Sequence, residues 1–302
     1  MSGGVDYFTH CSSNGQHDLW FGEEERAEEG YLTDLLSQRA VDFVDRMAAD
    51  KDAPFFLSLH YTAPHWPWET RDDEALAQEV KGNLFHLHGG NIHTYRRMIH
   101  HMDEGIGSVM QALRRHGIED DTLVIFTSDN GGERFSDSWP LVGGKMDLTE
   151  GGIRVPWIAH WPAQVRAGQV SAQHCMTMDW SATVIEAAGA EADPAYPLDG
   201  VSLLPVLRDA SHAFARPLHW RMNHRGQRAL RDGDWKYLQV DGHEYLFDIA
   251  TDERERANQA HRQPGRLAAM RADWTAWNAT MPPIPADATV SLGYSAKDMP
   301  SR

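Results

Sequence analysis

Three short stretches carry side chains whose types and spacing could do chemistry. Ser128-Asp129-Asn130-Gly131-Gly132 sets a carboxylate beside an amide oxygen, directly after the apolar run Thr122-Leu123-Val124-Ile125-Phe126-Thr127. Adjacent oxygen donors suit a hard divalent cation, and glycines let the backbone approach a ligand. The same composition also makes an ordinary Asp-Asn-Gly turn. Lys145 follows Gly143-Gly144, and Glu150-Gly151-Gly152-Ile153-Arg154-Val155-Pro156 lies just beyond. Such a lysine either neutralises an anionic group or is a solvated surface side chain. His65, in Ala63-Pro64-His65-Trp66-Pro67-Trp68, is held between two prolines. It could give a proton or hydrogen bond to a leaving oxygen, or cap the loop locally, and Trp66 and Trp68 could wall a pocket. His86, His88, His93, His100 and His101 read mostly as surface residues rather than as a transition-metal site. Gly-x-Ser-x-Gly, Gly-x-x-x-x-Gly-Lys-Ser/Thr and Gly-x-Gly-x-x-Gly are all missing from the sequence, which weakens serine-hydrolase and nucleotide-binding readings.

The elements that must position these residues follow from periodicity. Leu36, Ala40, Val44 and Met47 recur at helical spacing, with Thr33 as the expected N-cap. Residues 54–61 form a short apolar run that predicts a buried strand stopping at Pro64. Tyr95, Met98, Met102, Ile106, Val109 and Leu113 predict a helix over 91–116, closed by Gly117. Strands are expected at 122–127 and 155–161 and a helix at 178–188. This alternation predicts an α/β domain with a largely parallel sheet, where ligands sit at strand carboxyl ends. Four short strand-like segments near 217–222, 226–231, 235–240 and 244–248 predict an antiparallel meander. A helix from Pro264 follows, with Leu267, Met270, Trp274 and Trp277 on one face, and then an extended tail. The expected organisation is residues 1–211 as an α/β portion and 212–302 as a small C-terminal subdomain.

Composition narrows the classes. With 28 basic and 44 acidic side chains in 302 residues, the formal net charge is −16, which argues against nucleic acid as a partner. No run approaches about 18 apolar residues, so no membrane-spanning helix is expected. Cys11 and Cys175 fit no zinc motif and are expected as free thiols. The first residues show neither a basic nor an apolar signal segment, which leaves the compartment open between cytoplasm and, in a bacterium, periplasm.

Taken in order, these pieces closely resemble the sulfatase family from about residue 5 to residue 280. They are the apolar run into Ala-Pro-His, the helix with Met102-Asp103-Glu104-Gly105-Ile106-Gly107, Thr127-Ser128-Asp129-Asn130-Gly131-Gly132, Gly143-Gly144-Lys145, and Glu150-Gly151-Gly152-Ile153-Arg154-Val155-Pro156. The terminal segments 229–237 and Tyr245-Leu246-Phe247-Asp248 resemble that family's small terminal sheet. The resemblance implies an alkaline-phosphatase-like α/β fold and hydrolysis of sulfate esters using Ca2+ and a formylglycine nucleophile. It implies Asp129 and Asn130 as calcium ligands, Lys145 on the sulfate and leaving oxygen, and His65 assisting there. The expected partner is a small-molecule or saccharide sulfate ester.

Other family features have no counterpart here: a paired Asp segment, Cys-x-Pro-x-Arg and Gly-Lys-x-His. Cys11 sits in Cys11-Ser12-Ser13-Asn14-Gly15, without the Pro or Arg. Two ligand groups also fall short of the roughly six to eight oxygens calcium takes. The expectation is therefore a chain carrying the downstream half of the site, with little activity alone and an N-terminal portion of the same enzyme as its complement. A sheet edge or apolar face is expected to lie open. Phosphate mono- or diester hydrolysis, and a non-catalytic anion- or partner-binding relative, are the alternatives.

Overall fold

The computed structural model describes residues 4–50, 53–81, 83–86, 88–285 and 288. They form two compact units that divide between Thr122 and Leu123. Among the described residues, no helix is long and apolar enough to cross a membrane.

The first unit begins with a two-residue ladder of β1 (Trp20–Phe21) and β2 (Glu24–Glu25). Its framework is α1 (Leu32–Met47), the short α2 (Glu74–Val80) and α3 (Ile92–Arg115). Helix α1 starts earlier than its sequence suggests, with Tyr31 rather than Thr33 at the N-cap and Thr33 buried inside. Tertiary bonds replace the side-chain cap: Tyr31 Oη donates to Glu69 O at 2.9 Å, and Leu32 N donates to Tyr7 O at 2.8 Å. Helix α3 has a true side-chain cap, since Asn91 Oδ1 accepts from His93 N and Thr94 N at 2.8 and 3.0 Å. It closes as expected at Gly117, whose φ is 67°.

The buried stripe of α3 runs Met98, His101, Gly105, Ala112 and Leu113, rotated from the apolar stripe read off the sequence. The reason is Gly105. A Cβ there would lie 2.1 Å from Ser37 Oγ, so only glycine lets α3 approach α1 along this line. The rotation buries His101, and His86 is buried too, so two of the five histidines are not surface residues. Arg71 ties the helices together, with two 2.7 Å bonds to Asp34 and one of 2.5 Å to Glu104.

Residues 54–61 run extended with alternating exposure, but no ladder among the described residues includes them. The expected buried strand is therefore an open edge: Phe56 is 69% exposed.

In the second unit, β3 (Val124–Thr127) and β4 (Trp157–His160) pair antiparallel, with Val124 opposite His160 and Thr127 opposite Trp157. The ladders of the described residues are all antiparallel. For β3 and β4 the cause is local. Their connection folds back on itself, Gly131 N bonding Gly152 O at 2.9 Å, and a folded-back connection joins antiparallel neighbours, whereas a parallel pair needs a crossover. The pair is not a buried core, because β3 is half-exposed along its length and Ile158 is 60% exposed.

The connection contains the one-turn α4 (Glu150–Ile153); α5 (Met178–Ala187) and α6 (Leu204–Arg208) follow. The meander is then as read: β5 (Leu218–Met222), β6 (Gln227–Asp232), β7 (Trp235–Val240) and β8 (His243–Asp248), each pairing with the next. Helix α7 (Pro264–Thr280) packs on one face, where Leu230, Tyr237 and Leu246 meet Met270 and Trp274. The other face is also covered: Ala229, Leu238 and Phe247 pack with Leu148 and Ile153 from the β3–β4 connection.

Unit one carries a buried carboxyl pair, Asp6 and Glu69, both fully inaccessible. Asp6 Oδ1 accepts from Phe8 N, Thr9 N and Thr9 Oγ1 at 3.0, 2.6 and 2.9 Å. Burial, and then the neighbouring Asp6, push the Glu69 carboxyl up to about 9. A carboxyl raised in the folded state favours folding where it stays protonated, below its unfolded value near 4.5, and that contribution is lost as pH rises toward 9. Glu69→Gln keeps a donor facing Asp6 without the titration. Urea unfolding at pH 6, 7 and 8 will show the variant gaining on the wild type by roughly 1 kcal/mol per pH unit. A pH-independent difference would mean that the Glu69 carboxyl is not raised in the folded chain.

Candidate active site

Three of the four residues singled out by sequence belong to the second unit. Asp129 follows β3 and is exposed, and Asn130 is half-buried. Asn130 Nδ2 donates to Gly131 O at 2.9 Å, which fixes the amide with Oδ1 as its remaining acceptor. Ser128 Oγ donates to Asn130 O at 3.0 Å. Lys145 N donates to Gly132 O at 2.9 Å. The backbone of Lys145 is thereby bonded two residues beyond Asn130, and Asp129, Asn130 and Lys145 share one loop cluster.

The glycines do something other than admit a ligand. A Cβ on Gly131 would lie 1.9 Å from Gly151 O, and one on Gly152 would lie 2.1 Å from Asp147 O. Their job is backbone packing on backbone, which brings three distant segments of the connection into register. Asp147 completes the loop: its Oδ2 accepts from Gly144 N at 3.1 Å, and its own N donates to Gly144 O at 3.0 Å. Met146, directly after Lys145, has φ 74°, a left-handed conformation uncommon for a side-chain-bearing residue.

Beneath this loop lies a buried ionic cluster that sequence reasoning missed. Glu150 Oε1 meets Lys236 Nζ at 3.0 Å, and Glu150 Oε2 meets Arg231 Nη1 at 3.3 Å. Lys236 Nζ also meets Glu255 Oε1 at 2.9 Å, and Glu255 Oε2 accepts from Glu150 N at 2.7 Å. All four side chains are buried, Lys236 completely. Burial opposes ionisation of Glu150, but the Lys236 ammonium and the Arg231 guanidinium outweigh it and hold the carboxyl below its usual range. At Glu255 burial wins and the carboxyl is raised, despite Lys236. In the sequence, Lys236 is a lysine inside an alternating strand, which looks the same as an exposed one. The cue available was that both faces of the meander carry apolar residues.

His65 lies in the first unit, half-buried, in a loop shaped by aromatic packing. Its ring lies 4.1 Å from that of Trp66, which lies 4.5 Å from that of Phe85. Tyr7 Oη donates to His65 O at 2.9 Å. His65 Nδ1 lies 2.9 Å from Trp66 O; a carbonyl only accepts, so Nδ1 carries the proton of that bond. Trp68 is 2% exposed and cannot wall a pocket. Trp139, on the glycine-flanked loop of the second unit, is 67% exposed, with the Arg254 guanidinium 4.0 Å from its ring centroid. Cys11 and Cys175 are free thiols, and burial raises the pKa of Cys175.

No group of three His, Cys, Asp or Glu side chains converges as a metal cluster among the described residues. The oriented Asn130 amide and the exposed Asp129 carboxylate fit part of a hard-cation shell, two of the oxygens such an ion takes.

The family model described as Sulfatase matches residues 2–190, more than half of the chain. The chain belongs to the sulfatase family. Among its relatives, it is 32% identical over 215 residues to the uncharacterized sulfatase YdeN of Escherichia coli (strain K12), covering 68% of this chain and 37% of that one. It is 32% identical over 198 residues to N-acetylgalactosamine-6-sulfatase of Rattus norvegicus, covering 64% of this chain and 35% of that one. This sulfatase chain thus spans little more than a third of the length of either relative. Among solved structures it resembles Ps i-CgsB in complex with k-i-k-neocarrahexaose, with a TM-score of 0.73 and 31% identity over 84% of this chain and 56% of that one. The fold is alkaline-phosphatase-like, as the motif order implies, with the small antiparallel sheet and helix at its C-terminal end.

Removing one partner of a buried ion network strands the rest. Lys236→Met leaves Glu150 and Glu255 facing each other, and urea unfolding should register a loss of about 3–5 kcal/mol. A loss below about 1 kcal/mol would mean that the cluster does not hold the sheet to the loop.

Proposed function

We propose that this chain is the downstream part of a sulfuric ester hydrolase that cleaves a sulfate monoester. Asp129 and Asn130 hold Ca2+, and Lys145 and His65 act on the ester. The observation that carries the reading is the bond from Lys145 N to Gly132 O, which places a cationic residue in one loop cluster with two oxygen donors, in a member of the sulfatase family.

The chemistry follows from charge. Cleavage of the S–O bond leaves its electron pair on the departing oxygen, so groups that meet negative charge there lower the barrier. Calcium, when bound, supplies Lewis acidity to the sulfate oxygens. Lys145 offers its ammonium to the sulfate and the leaving oxygen. His65 hands a proton to that oxygen; because Nδ1–H is committed to Trp66 O, it does so from Nε2 and only as the imidazolium. With a net charge of −16, the chain as a whole repels sulfate, so these local cations supply the attraction.

No Cys-x-Pro-x-Arg segment occurs in these 302 residues to supply the attacking group, and Asp129 and Asn130 are too few for a calcium shell, so the attacking group and further ligands have still to be supplied. We assign them to an upstream portion of the same enzyme, so the chain has little activity alone. The span of about a third of each relative supports this, as do the open edge at Phe56 and the exposed Ile158. For the substrate we propose a saccharide or other small-molecule sulfate ester. The exposed Trp139 ring, a surface on which a sugar or aryl group stacks, and the saccharide complex of Ps i-CgsB support it.

The test is the DNA immediately upstream of codon 1. We expect an in-frame Cys-x-Pro-x-Arg segment, and a product containing it that hydrolyses an aryl sulfate in calcium and loses about 10²–10³ in kcat on Lys145→Ala. Faster hydrolysis of the matching phosphate ester would move the reading to a phosphoesterase. No upstream segment, together with no ester hydrolysis by the purified chain in calcium, would make it an anion- or partner-binding relative.

A further inference from the structure

We infer that the inner face of the C-terminal sheet positions Lys145, with Gln227 as the principal positioning residue; the inference rests on the role proposed above for Lys145. Gln227 opens β6 and is 2% exposed. Its side chain grips the chain on both sides of Asp147: Oε1 accepts from Leu148 N at 2.9 Å, and Nε2 donates to Met146 O at 2.8 Å. The gripped residue Met146 is the one in the left-handed conformation, immediately after Lys145. Strained backbone persists only where its surroundings over-determine it, and Gln227 is that determinant.

The grip continues at alternate residues. The Leu148 side chain packs against Ala229 and Leu238 of β6 and β7. Glu150 is held through its carboxylate by Lys236 and Arg231 and through its N–H by Glu255. Positions 146, 148 and 150 are therefore fastened to one sheet face, whose own members Gln227, Ala229, Arg231, Lys236 and Leu238 alternate as strand geometry requires. On the other side, Asp147 Oδ2 takes Gly144 N. Lys145 sits between these two sets of bonds.

An apolar interface would serve stability as well as this one, because buried ion networks are often matched by well-packed hydrophobic residues. What hydrogen bonds and ion pairs add is direction, and here they are aimed at the backbone on either side of one functional residue. The small C-terminal sheet is therefore part of the sulfate site's machinery rather than an appendage.

Two variants of the 302-residue chain decide it, read by site-resolved amide hydrogen exchange over 144–150 and by the acylation rate of Lys145 relative to the exposed Lys81, measured by mass spectrometry. Gln227→Ala is expected to speed exchange at Leu148 about tenfold. The Lys145-to-Lys81 acylation ratio should rise several-fold, with exchange in β7 and β8 unchanged. Gln227→Glu is near-isosteric. Protonated at pH 5 it donates to Met146 O and accepts from Leu148 N, so the loop should match wild type; as the new carboxyl ionises the donor is lost and the loop should loosen. Should Gln227→Ala not fold, that pH profile decides alone. Unchanged exchange and acylation in Gln227→Ala, equal acceleration throughout the unit, or a flat profile for Gln227→Glu would overturn the inference. None of these readouts uses ester hydrolysis, so a failed ester assay and a failed positioning role are told apart.

Discussion

The carboxylate of Glu150 is buried between Lys236 and Arg231, and the second unit is arranged around that contact. Two cations on neighbouring strands, directly opposite in the β6–β7 register, would repel each other in a buried face. Glu150 and Glu255 offset that repulsion, and Glu150 comes from the connection between β3 and β4 rather than from the sheet. The sheet and the connection are therefore each incomplete without the other. The Gly151-Gly152 pair beside Glu150 then carries the constraint onward, because Gly131 can approach it only as glycine. Electrostatics at Glu150 and sterics at Gly131 together determine where Asp129, Asn130 and Lys145 stand.

Polar burial serves a different end in the first unit. Glu69 is buried beside Asp6, and the cost of that burial is met by raising the Glu69 carboxyl rather than by pairing it with a cationic side chain. Tyr7 Oη bonds to the carbonyl of His65 itself and Tyr31 Oη to that of Glu69 four residues on, and Tyr31, the N-cap of α1, so fastens the loop to the start of that helix. Gly105 lets α3 close on α1. The histidine thus stands on a scaffold held by hydrogen bonds and aromatic packing, and its tautomer is set by its own neighbour, Trp66 O.

Much of the fold was legible. The meander strands fall where alternating residues between Arg225-Gly226, Asp232-Gly233-Asp234 and Asp241-Gly242 put them, because turn chemistry and period two are local properties. The long helix and its Gly117 ending were legible for the same reason. Residues 54–61 were not, because an apolar run reveals a preference for extended backbone and not whether a partner strand exists. The start of α1 was missed because tertiary bonds from Tyr31 and to Tyr7 O do the work a Thr cap would have done. In the site, Asp129, Asn130, Lys145 and His65 could be singled out as residue types in ordered motifs. Gln227, Lys236 and Glu255 could not, since their meaning depends on a loop some 80 to 105 residues away.

The sequence by itself determined the family, the order of elements and the identities of the candidate ligands and cations, because motif spacing, turn residues and periodicity are written along the chain. Tertiary structure alone decided what those residues rest on. It showed that the paired glycines pack on one another, that Trp68 is core while Trp139 is surface, and that a buried lysine and glutamine of the terminal sheet hold the loop bearing Lys145. The physical reason is that burial and hydrogen-bond direction belong to pairs of residues far apart in sequence. No local pattern records which partner a buried charge will find.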